Sequence, residues 1–278
     1  MTSDPPRLFA ANTPAPEGPT FDAQGNLFVV CMGNGNILKL SPDGRAEVFA
    51  NTGGTPNGLA FGPDGLLYVA EVCLKAILVA EADGSLRTLT TAAAGRPLAG
   101  PNDLCFDARG NFYFTDPVGS KAENRIGTVV YCTPQGAAHV VAEGLAFPNG
   151  LALTADGRQL YVVNELAHEM LRYDVLPDGS LGAGEHFCPI RQGGIGGDGM
   201  ALDIEGNLYL TNYGLGTVDV ISPAGDLLDL LPAGGMQPTN VAFGGADMRD
   251  LYITELETAA VYVRRNAIPG LELSRIGR

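Results

Sequence analysis

The chain alternates short apolar runs with turns, and one segment shows the pattern most clearly. From Pro148, "PNGLALTADGRQLYVVN" gives an apolar strand, an Asp-Gly turn and a second apolar strand, which is the signature of a β-hairpin. Related segments are "PNGLAFGPDGLLYVAE" from Pro56, "PNDLCFDARGNFYFTD" from Pro101, "GDGMALDIEGNLYLTN" from Gly197, and the weaker "EGPTFDAQGNLFVVC" from Glu17 and "PTNVAFGGADMRDLYITE" from Pro238. One hairpin therefore recurs six times along the chain.

The spacing of these copies predicts the fold. The first polar residues of the copies, here called the axial ring, are Glu17, Asn57, Asn102, Asn149, Asp198 and Thr239. Their intervals are 40, 45, 47, 49 and 41 residues, and more strand-like sequence follows each hairpin. About four strands per repeat of this length predicts an all-β, six-bladed β-propeller with four antiparallel strands per blade. The alternative, a series of separate small β domains, lacks linkers in this sequence.

The repeats leave no remainder large enough for a second domain, so residues 1–278 are predicted to form a single propeller domain. A propeller ring must also close, and a strand from one terminus often completes the blade at the other. The segment "RLFAAN", residues 7–12, is the candidate for this closing strand.

The net charge disfavours some classes of binding partner, and the cysteine content indicates a cellular compartment. The formal net charge of −14 disfavours binding to nucleic acid or to an anionic membrane surface, which needs clustered lysine and arginine. The N-terminal segment has no signal-peptide pattern, and no apolar run approaches the ~20 residues of a membrane span. The five cysteines are odd in number and lack C-x-x-C spacing, which indicates buried thiols in a reducing compartment. We therefore expect a cytoplasmic protein.

The axial ring predicts a metal site. The innermost strand of each blade lines the central channel, so residues that open these strands converge at one mouth. Every member carries an oxygen donor, and carboxylates with amide carbonyls suit a hard divalent cation. Ca²⁺ fits this set best, whereas Mg²⁺, Mn²⁺ or Zn²⁺ would bind more weakly or with more water. For Asn57 alone a structural role is favoured, because asparagine commonly opens turns and strands.

Several motifs resemble one known family. They are "EGP" at 17–19, "PND" at 101–103 followed by "YFTDP" at 113–117, "PNG" at 148–150 and "GGDGMALD" at 196–203. With them the chain resembles, over nearly its whole length, the SMP-30/gluconolactonase/luciferin-regenerating-enzyme family of six-bladed propellers. The resemblance implies that Glu17, Asn149 and Asp198 hold a metal and that Asn102 is a further ligand or a substrate contact.

The resemblance also implies an activity, the hydrolysis of a small-molecule lactone or ester. A metal-bound carbonyl gains stabilisation as it becomes an oxyanion, and a carboxylate or the metal activates water. Asp198 and Asn102 are the predicted catalytic residues, and the base is Asp198 or a hydroxide on the metal. Members close to the animal protein carry an arginine where this chain has Gly100, and Arg96 lies four residues upstream, so specificity for sugar lactones is in question.

A second ring is predicted at the ends of the second strands: Cys31, Glu71, Asp116, Asn164, Asn212 and Glu255. Asp116 is expected to support Asn102, and His168 falls in a loop that could face the channel mouth. No G-x-S-x-G nucleophile motif is present. Two other functions stay open: a non-enzymatic NHL-like binding propeller, and a propeller enzyme of other chemistry, such as a strictosidine-synthase relative.

Overall fold

The structure, a computed structural model, describes residues 5–272 and contains six four-stranded antiparallel sheets. The strands in chain order are β1 (Arg7–Ala11), β2 (Pro16–Phe21), β3 (Leu27–Cys31), β4 (Asn36–Leu40), β5 (Ala46–Asn51), β6 (Pro56–Phe61), β7 (Leu67–Glu71), β8 (Ala76–Ala80), β9 (Leu86–Thr90), β10 (Ala92–Ala93), β11 (Arg96–Pro97), β12 (Leu104–Phe106), β13 (Phe112–Asp116), β14 (Gly127–Cys132), β15 (Ala138–Leu145), β16 (Pro148–Leu153), β17 (Gln159–Asn164), β18 (Glu169–Asp174), β19 (Glu185–Pro189), β20 (Gly196–Leu202), β21 (Leu208–Tyr213), β22 (Thr217–Ile221), β23 (Leu227–Pro232), β24 (Pro238–Gly244), β25 (Asp250–Glu255) and β26 (Ala260–Arg265).

The sheets are consecutive blades of a six-bladed β-propeller, which confirms the predicted fold. Blades 1 to 5 are β2–β5, β6–β9, β12–β15, β16–β19 and β20–β23, and blade 6 orders β24, β25, β26 and then β1. In blade 6, Arg7 lies opposite Val263 and Ala11 opposite Ala260, so β1 forms the outer strand. The strands β10 and β11 form a small separate hairpin, and a single 3₁₀ turn spans Glu165–Ala167.

The hydrophobic core lies between the blades. The middle strands are buried along their whole length, as in β3, β7 and β13, because each blade is covered by a neighbour on both faces. Between blades 2 and 3 the ring of Tyr68 contacts that of Phe112 at 5.3 Å in an edge-on arrangement. This burial explains why the strands are nearly continuous apolar runs.

The six inner strands, β2, β6, β12, β16, β20 and β24, each lie beside the next, and β24 lies beside β2. Glycines permit this close approach around the axis. A Cβ atom on Gly18 would lie 2.4 Å from the carbonyl oxygen of Asn57, and the φ of +55° at Gly18 also favours glycine. The inner strands therefore form a closed ring.

All five cysteines are free thiols, four of them buried and Cys73 exposed. Within residues 5–272, the structure contains no helix with the length and hydropathy needed to span a membrane.

Candidate metal centre

β-Bulges carry most of the axial-ring residues. In blade 1, three steps from Glu17 to Thr20 lie opposite only two on β3, from Val30 to Phe28. The same one-residue excess occurs in β6, β16, β20 and β24. A bulge re-aims side chains that regular pleating would send into the sheet faces. The hairpin repeat therefore places a displaced residue at the entry end of these inner strands.

Four carboxylates from different blades converge at this end of the channel. The charge of Asp103 acts on Glu17, and the charges of Glu17, Glu165 and Asp103 all act on Asp198. Glu17, Asp103 and Glu165 are buried, with 2%, 8% and 7% of their surface exposed. Two of the four, Glu17 and Asp198, belong to the predicted ring, and the other two do not.

The pKa values of these carboxyl groups are displaced upward. Burial, followed by the charge of Asp103, raises the pKa of Glu17 to about 8. Burial raises the pKa of Asp103 to about 6 and that of Glu165 to about 7. Burial and the three neighbouring carboxylates raise the pKa of Asp198 well above its usual range. The cluster is therefore an electronegative pocket in which hydrogen bonds from neighbouring groups compensate the ionised forms only in part.

Amide side chains complete the donor set. Asn149 donates its Nδ2 to Glu165 Oε2 at 2.9 Å, which leaves the Asn149 carbonyl oxygen available as a ligand. Asn240 donates its Nδ2 to Glu17 Oε2 at 3.0 Å. The side chain of Asn102 is buried and forms no hydrogen bond with any of residues 5–272. The Asn102 amide is thus a polar group with an open coordination or substrate-binding capacity.

This donor chemistry fits a divalent cation. Carboxylate and amide oxygens are the ligands that Ca²⁺ prefers, and none of the main contributions to the four pKa shifts comes from a lysine or arginine. Residues 5–272 contain no group of three or more His, Cys, Asp and Glu side chains with metal-binding geometry. The four carboxylates of the cluster therefore do not form such a group by themselves, and the predicted set of Glu17, Asn102, Asn149 and Asp198 combines only two of them with two amides.

Two members of the axial ring have partners elsewhere. Asn57 is half-buried and donates its Nδ2 to Met32 Sδ at 3.5 Å. Thr239 donates its hydroxyl to the Pro16 carbonyl oxygen at 2.8 Å. The Thr239 hydroxyl also interacts with the Glu17 carboxylate, where it lowers the pKa of Glu17, so Thr239 borders the cluster as a hydrogen-bond donor.

Side chains of the second ring accept hydrogen bonds from the backbone of the loops that lead into the inner strands. Asp116 accepts hydrogen bonds from the backbone N–H groups of Ala99 and Gly100, just before Asn102. Glu255 accepts from the Gln237 N–H at 2.7 Å, just before Thr239. These side chains act on backbone at the same end of the channel as the carboxylate cluster.

Two further candidates lie outside the carboxylate cluster. Arg96 belongs to the β10–β11 hairpin, is exposed, and lies 3.4 Å from Glu143 Oε2. His168 ends the 3₁₀ turn with a φ of 50°, and its buried Nδ1 has no hydrogen-bond partner within the described residues. Neither contact connects these residues to Glu17 or Asp198.

Sequence reasoning missed Asp103, Glu165 and Asn240. Two of them had a signal in the repeat, because the position after the axial ring reads Gly18, Gly58, Asp103, Gly150, Gly199 and Asn240. Glycine is replaced only where a side chain enters the channel. A Cβ atom on Gly199 would lie 2.0 Å from Asn240 Cγ, so this glycine makes room for Asn240. Glu165 lies on the 3₁₀ turn, and its signal is that it is the charged member among the residues that follow the second-ring positions.

The chain is similar in sequence and fold to several known hydrolases. Residues 15–257 match the family model described as "SMP-30/Gluconolactonase/LRE-like region". A gluconolactonase from Zymomonas mobilis is 28% identical over 274 residues, covering 87% of this chain and 76% of the enzyme. A diisopropyl-fluorophosphatase from Loligo vulgaris is 28% identical over 280 residues, covering 90% and 88%. A solved gluconolactonase from Xanthomonas campestris superposes with a TM-score of 0.81 at 26% identity, covering 97% of this chain and 96% of that one.

Proposed function

This chain belongs to the SMP-30/gluconolactonase/LRE-like family, and from that premise we propose that it is a divalent-cation-dependent hydrolase that opens lactones. One observation carries the metal dependence: the buried carboxylates of Glu17, Asp103 and Glu165 and the half-buried Asp198 share one end of the channel, without a lysine or arginine among their main electrostatic partners. Such a cluster is costly to ionise unless a cation neutralises it. The matched gluconolactonases support the lactone as substrate.

We assign the ligands from the donor set. Glu17, Asn149 and Asp198 would hold the ion, with Asn102 as a fourth ligand or a contact to the substrate carbonyl. Ca²⁺ is the preferred ion, since the set contains oxygen donors without sulfur or imidazole. The bound ion would supply positive charge next to the lactone carbonyl oxygen.

The remaining side chains hold this arrangement and handle the proton. Asn240 fixes the carboxylate of Glu17, and Glu165 fixes the amide of Asn149. Water adds its oxygen to the carbonyl carbon, and Asp198 takes the proton that the water releases. The ring C–O bond then breaks, and the proton passes to the leaving alkoxide, giving a hydroxy acid.

Metal analysis and a hydrolysis screen test the proposal. The purified protein should retain about one Ca²⁺ per chain, hydrolyse at least one lactone, and lose that activity on chelation. Asp198→Asn should lower kcat/KM by about 10³-fold, since it removes both a ligand charge and the proton acceptor. The control is Asp83→Asn, on an exposed turn. Full activity in chelator, or in Asp198→Asn, would reject the metal-dependent mechanism.

A second substrate class has support from one comparison. The squid diisopropyl-fluorophosphatase is as identical to this chain as the bacterial gluconolactonase, and it matches a larger share of both chains. Diisopropyl fluorophosphate therefore belongs in the same screen. Hydrolysis of the P–F bond of this compound, with release of fluoride and without hydrolysis of any lactone, would favour an organophosphate hydrolase. Retention of Ca²⁺ without either activity would favour the NHL-like binding propeller.

A further inference from the structure

Beside the carboxylate cluster, the second strands of the blades are followed mostly by apolar residues. In five blades the second-ring residue pairs with the residue just before the axial ring, so the residue that follows it lies at the mouth end. The six residues that follow the second-ring positions are Met32, Val72, Pro117, Glu165, Tyr213 and Leu256. Only Glu165 among them is charged. Four of the apolar or aromatic members, all except the buried Pro117, are partly exposed. We call these six residues the mouth wall.

Contacts with the axial ring place the mouth wall beside the candidate metal centre. Glu165 accepts the hydrogen bond from Asn149, a ring residue of its own blade. Met32 accepts the hydrogen bond from Asn57, a ring residue of the next blade. Tyr213 is half-buried, and its burial is the main cause of the raised pKa of its phenol. The nearby charges of Asp198 and Glu165 raise this pKa further. Members from three blades therefore border the ring.

Adjacent loops extend the apolar surface outward. Val118 and Ile195 are 37% and 52% exposed, and Ile195 lies three residues before Asp198. Val118 also fills the space beside Gly100, where a Cβ atom would lie 2.6 Å from Val118 Cγ2. The part of a substrate that extends outward from the carboxylate cluster would therefore lie beside aliphatic side chains.

Hydrogen-bonding groups for a polyhydroxylated substrate are scarce on this wall. The polar side chains of the mouth wall are the Glu165 carboxyl, which accepts from Asn149, and the Tyr213 phenol. Arg96 is exposed and paired with Glu143 on the β10–β11 hairpin. Hydroxyl groups placed against an apolar wall lose their bonds to water without replacement, whereas alkyl groups gain by burial.

We propose that the preferred substrate is a lactone with an alkyl side chain, whose ring carbonyl enters the carboxylate cluster and whose chain lies on the mouth wall. This assignment rests on the proposed lactonase function. It names an uncharged, lipophilic lactone in place of a sugar lactone. The apolar wall then contributes to specificity, and the carboxylate cluster contributes the chemistry.

A matched substrate series tests the assignment. With the Ca²⁺-loaded protein, kcat/KM should rise about two- to fourfold per methylene from γ-butyrolactone to γ-nonalactone, because part of each methylene leaves water. Glucono-δ-lactone should be at least tenfold poorer than γ-nonalactone. Equal or better hydrolysis of glucono-δ-lactone, without dependence on chain length, rejects the assignment and leaves the lactonase proposal standing.

Variants and a non-hydrolysable probe separate binding from catalysis. Val72→Ser should reduce the advantage of γ-nonalactone over γ-butyrolactone by about tenfold, and Leu256→Ser is a second variant of the same wall. The matched control is Val48→Ser, 60% exposed on the outer strand β5, which should retain the wild-type ratio. By calorimetry, 2-pentylcyclopentanone should bind the wild type at least tenfold more tightly than cyclopentanone does. Equal binding of the two ketones overturns the assignment, and tighter binding of the alkyl ketone without lactone hydrolysis rejects only the lactonase proposal.

Discussion

Two rows of acids and amides lie at the same end of the propeller, the second ring and the carboxylate cluster with its amides, and their carboxylates differ in the charged groups around them. In the second ring, Glu255 accepts hydrogen bonds from Gln237 and Thr258, and Asp116 accepts from Ala99 and Gly100. In the carboxylate cluster, the charged groups that act on Asp198 are the other three carboxylates. A carboxylate that accepts backbone N–H groups fixes a loop, whereas the carboxylates that face one another raise one another's pKa and are the ones proposed to bind a cation.

The largest expected difference between the rows is in Ca²⁺ affinity. Glu17→Gln removes one of the ligand charges but retains an oxygen that can accept from Asn240. We expect the Ca²⁺ affinity to fall by at least about 10²-fold, because affinity at oxygen sites depends strongly on ligand charge. Isothermal titration calorimetry of the chelator-stripped protein measures this change.

The matched control for this variant is Glu255→Gln, the same substitution at a residue that is also fully buried. It should leave the Ca²⁺ affinity unchanged. It should lower the free energy of unfolding by about 1–3 kcal/mol, since it weakens hydrogen bonds to a charged acceptor. A loss of Ca²⁺ affinity equal to that of Glu17→Gln would show that the two rows are not functionally distinct.

The pH dependence of stability should also separate the rows. In the metal-free protein the pKa values of Glu17, Glu165 and Asp103 are raised to about 8, about 7 and about 6. The folded state then binds more protons than the unfolded state, so stability is highest at low pH and falls as pH rises from about 5 to about 8. Added Ca²⁺ should abolish much of this fall, because it neutralises the ionised cluster.

Thermal unfolding between pH 5 and pH 9, with chelator and with Ca²⁺, provides the measurement. The double variant Glu17→Gln/Asp198→Asn should show a flatter profile in chelator than the wild type. A wild-type profile in chelator that rises over this range would contradict the proposed electrostatic character of the cluster.

A smaller effect is expected at Glu165, which positions a ligand. In the wild type, Asn149 Nδ2 lies 2.9 Å from a carboxylate oxygen of Glu165. Glu165→Gln replaces that carboxylate with an amide and removes one negative charge from the cluster. Loss of such orienting contacts costs about 10- to 100-fold in metal affinity. Glu169→Gln is the control, because Glu169 bonds Asn164 in the second ring. Equal Ca²⁺ affinity in Glu165→Gln and the wild type would remove Glu165 from the site.

The contrast between the rows also separates what the sequence could predict from what it could not. The hairpin repeat is local, so the blades and the axial ring followed from spacing alone. Whether a ring member is a ligand depends on contacts between blades, such as those of Asn57 with Met32 and of Thr239 with Pro16, which the repeat does not encode. Asp103 and Asn240 are exceptions at a repeat position that is otherwise glycine, and Glu165 is the charged exception at the position after the second ring. That the Glu165 carboxyl reaches Asn149 depends on the path of the 3₁₀ turn, which the sequence pattern does not predict.

The smallest effect is expected at Asn57, the axial-ring residue whose sequence context favoured a structural role. Its amide donates to the sulfur of Met32 at 3.5 Å, and sulfur is a weak acceptor, so the contact contributes little. Asn57→Ala should change the Ca²⁺ affinity by less than about threefold, whereas Asn149→Ala should lower it by about 10²-fold, since it deletes a carbonyl ligand. Calorimetry on the two variants makes the comparison at equivalent positions of two blades. If Asn57→Ala lowered the Ca²⁺ affinity as much as Asn149→Ala does, Asn57 of blade 2 would belong to the ligand set. The axial ring would then contain one ligand more, and Asn57 would no longer count as a structural residue.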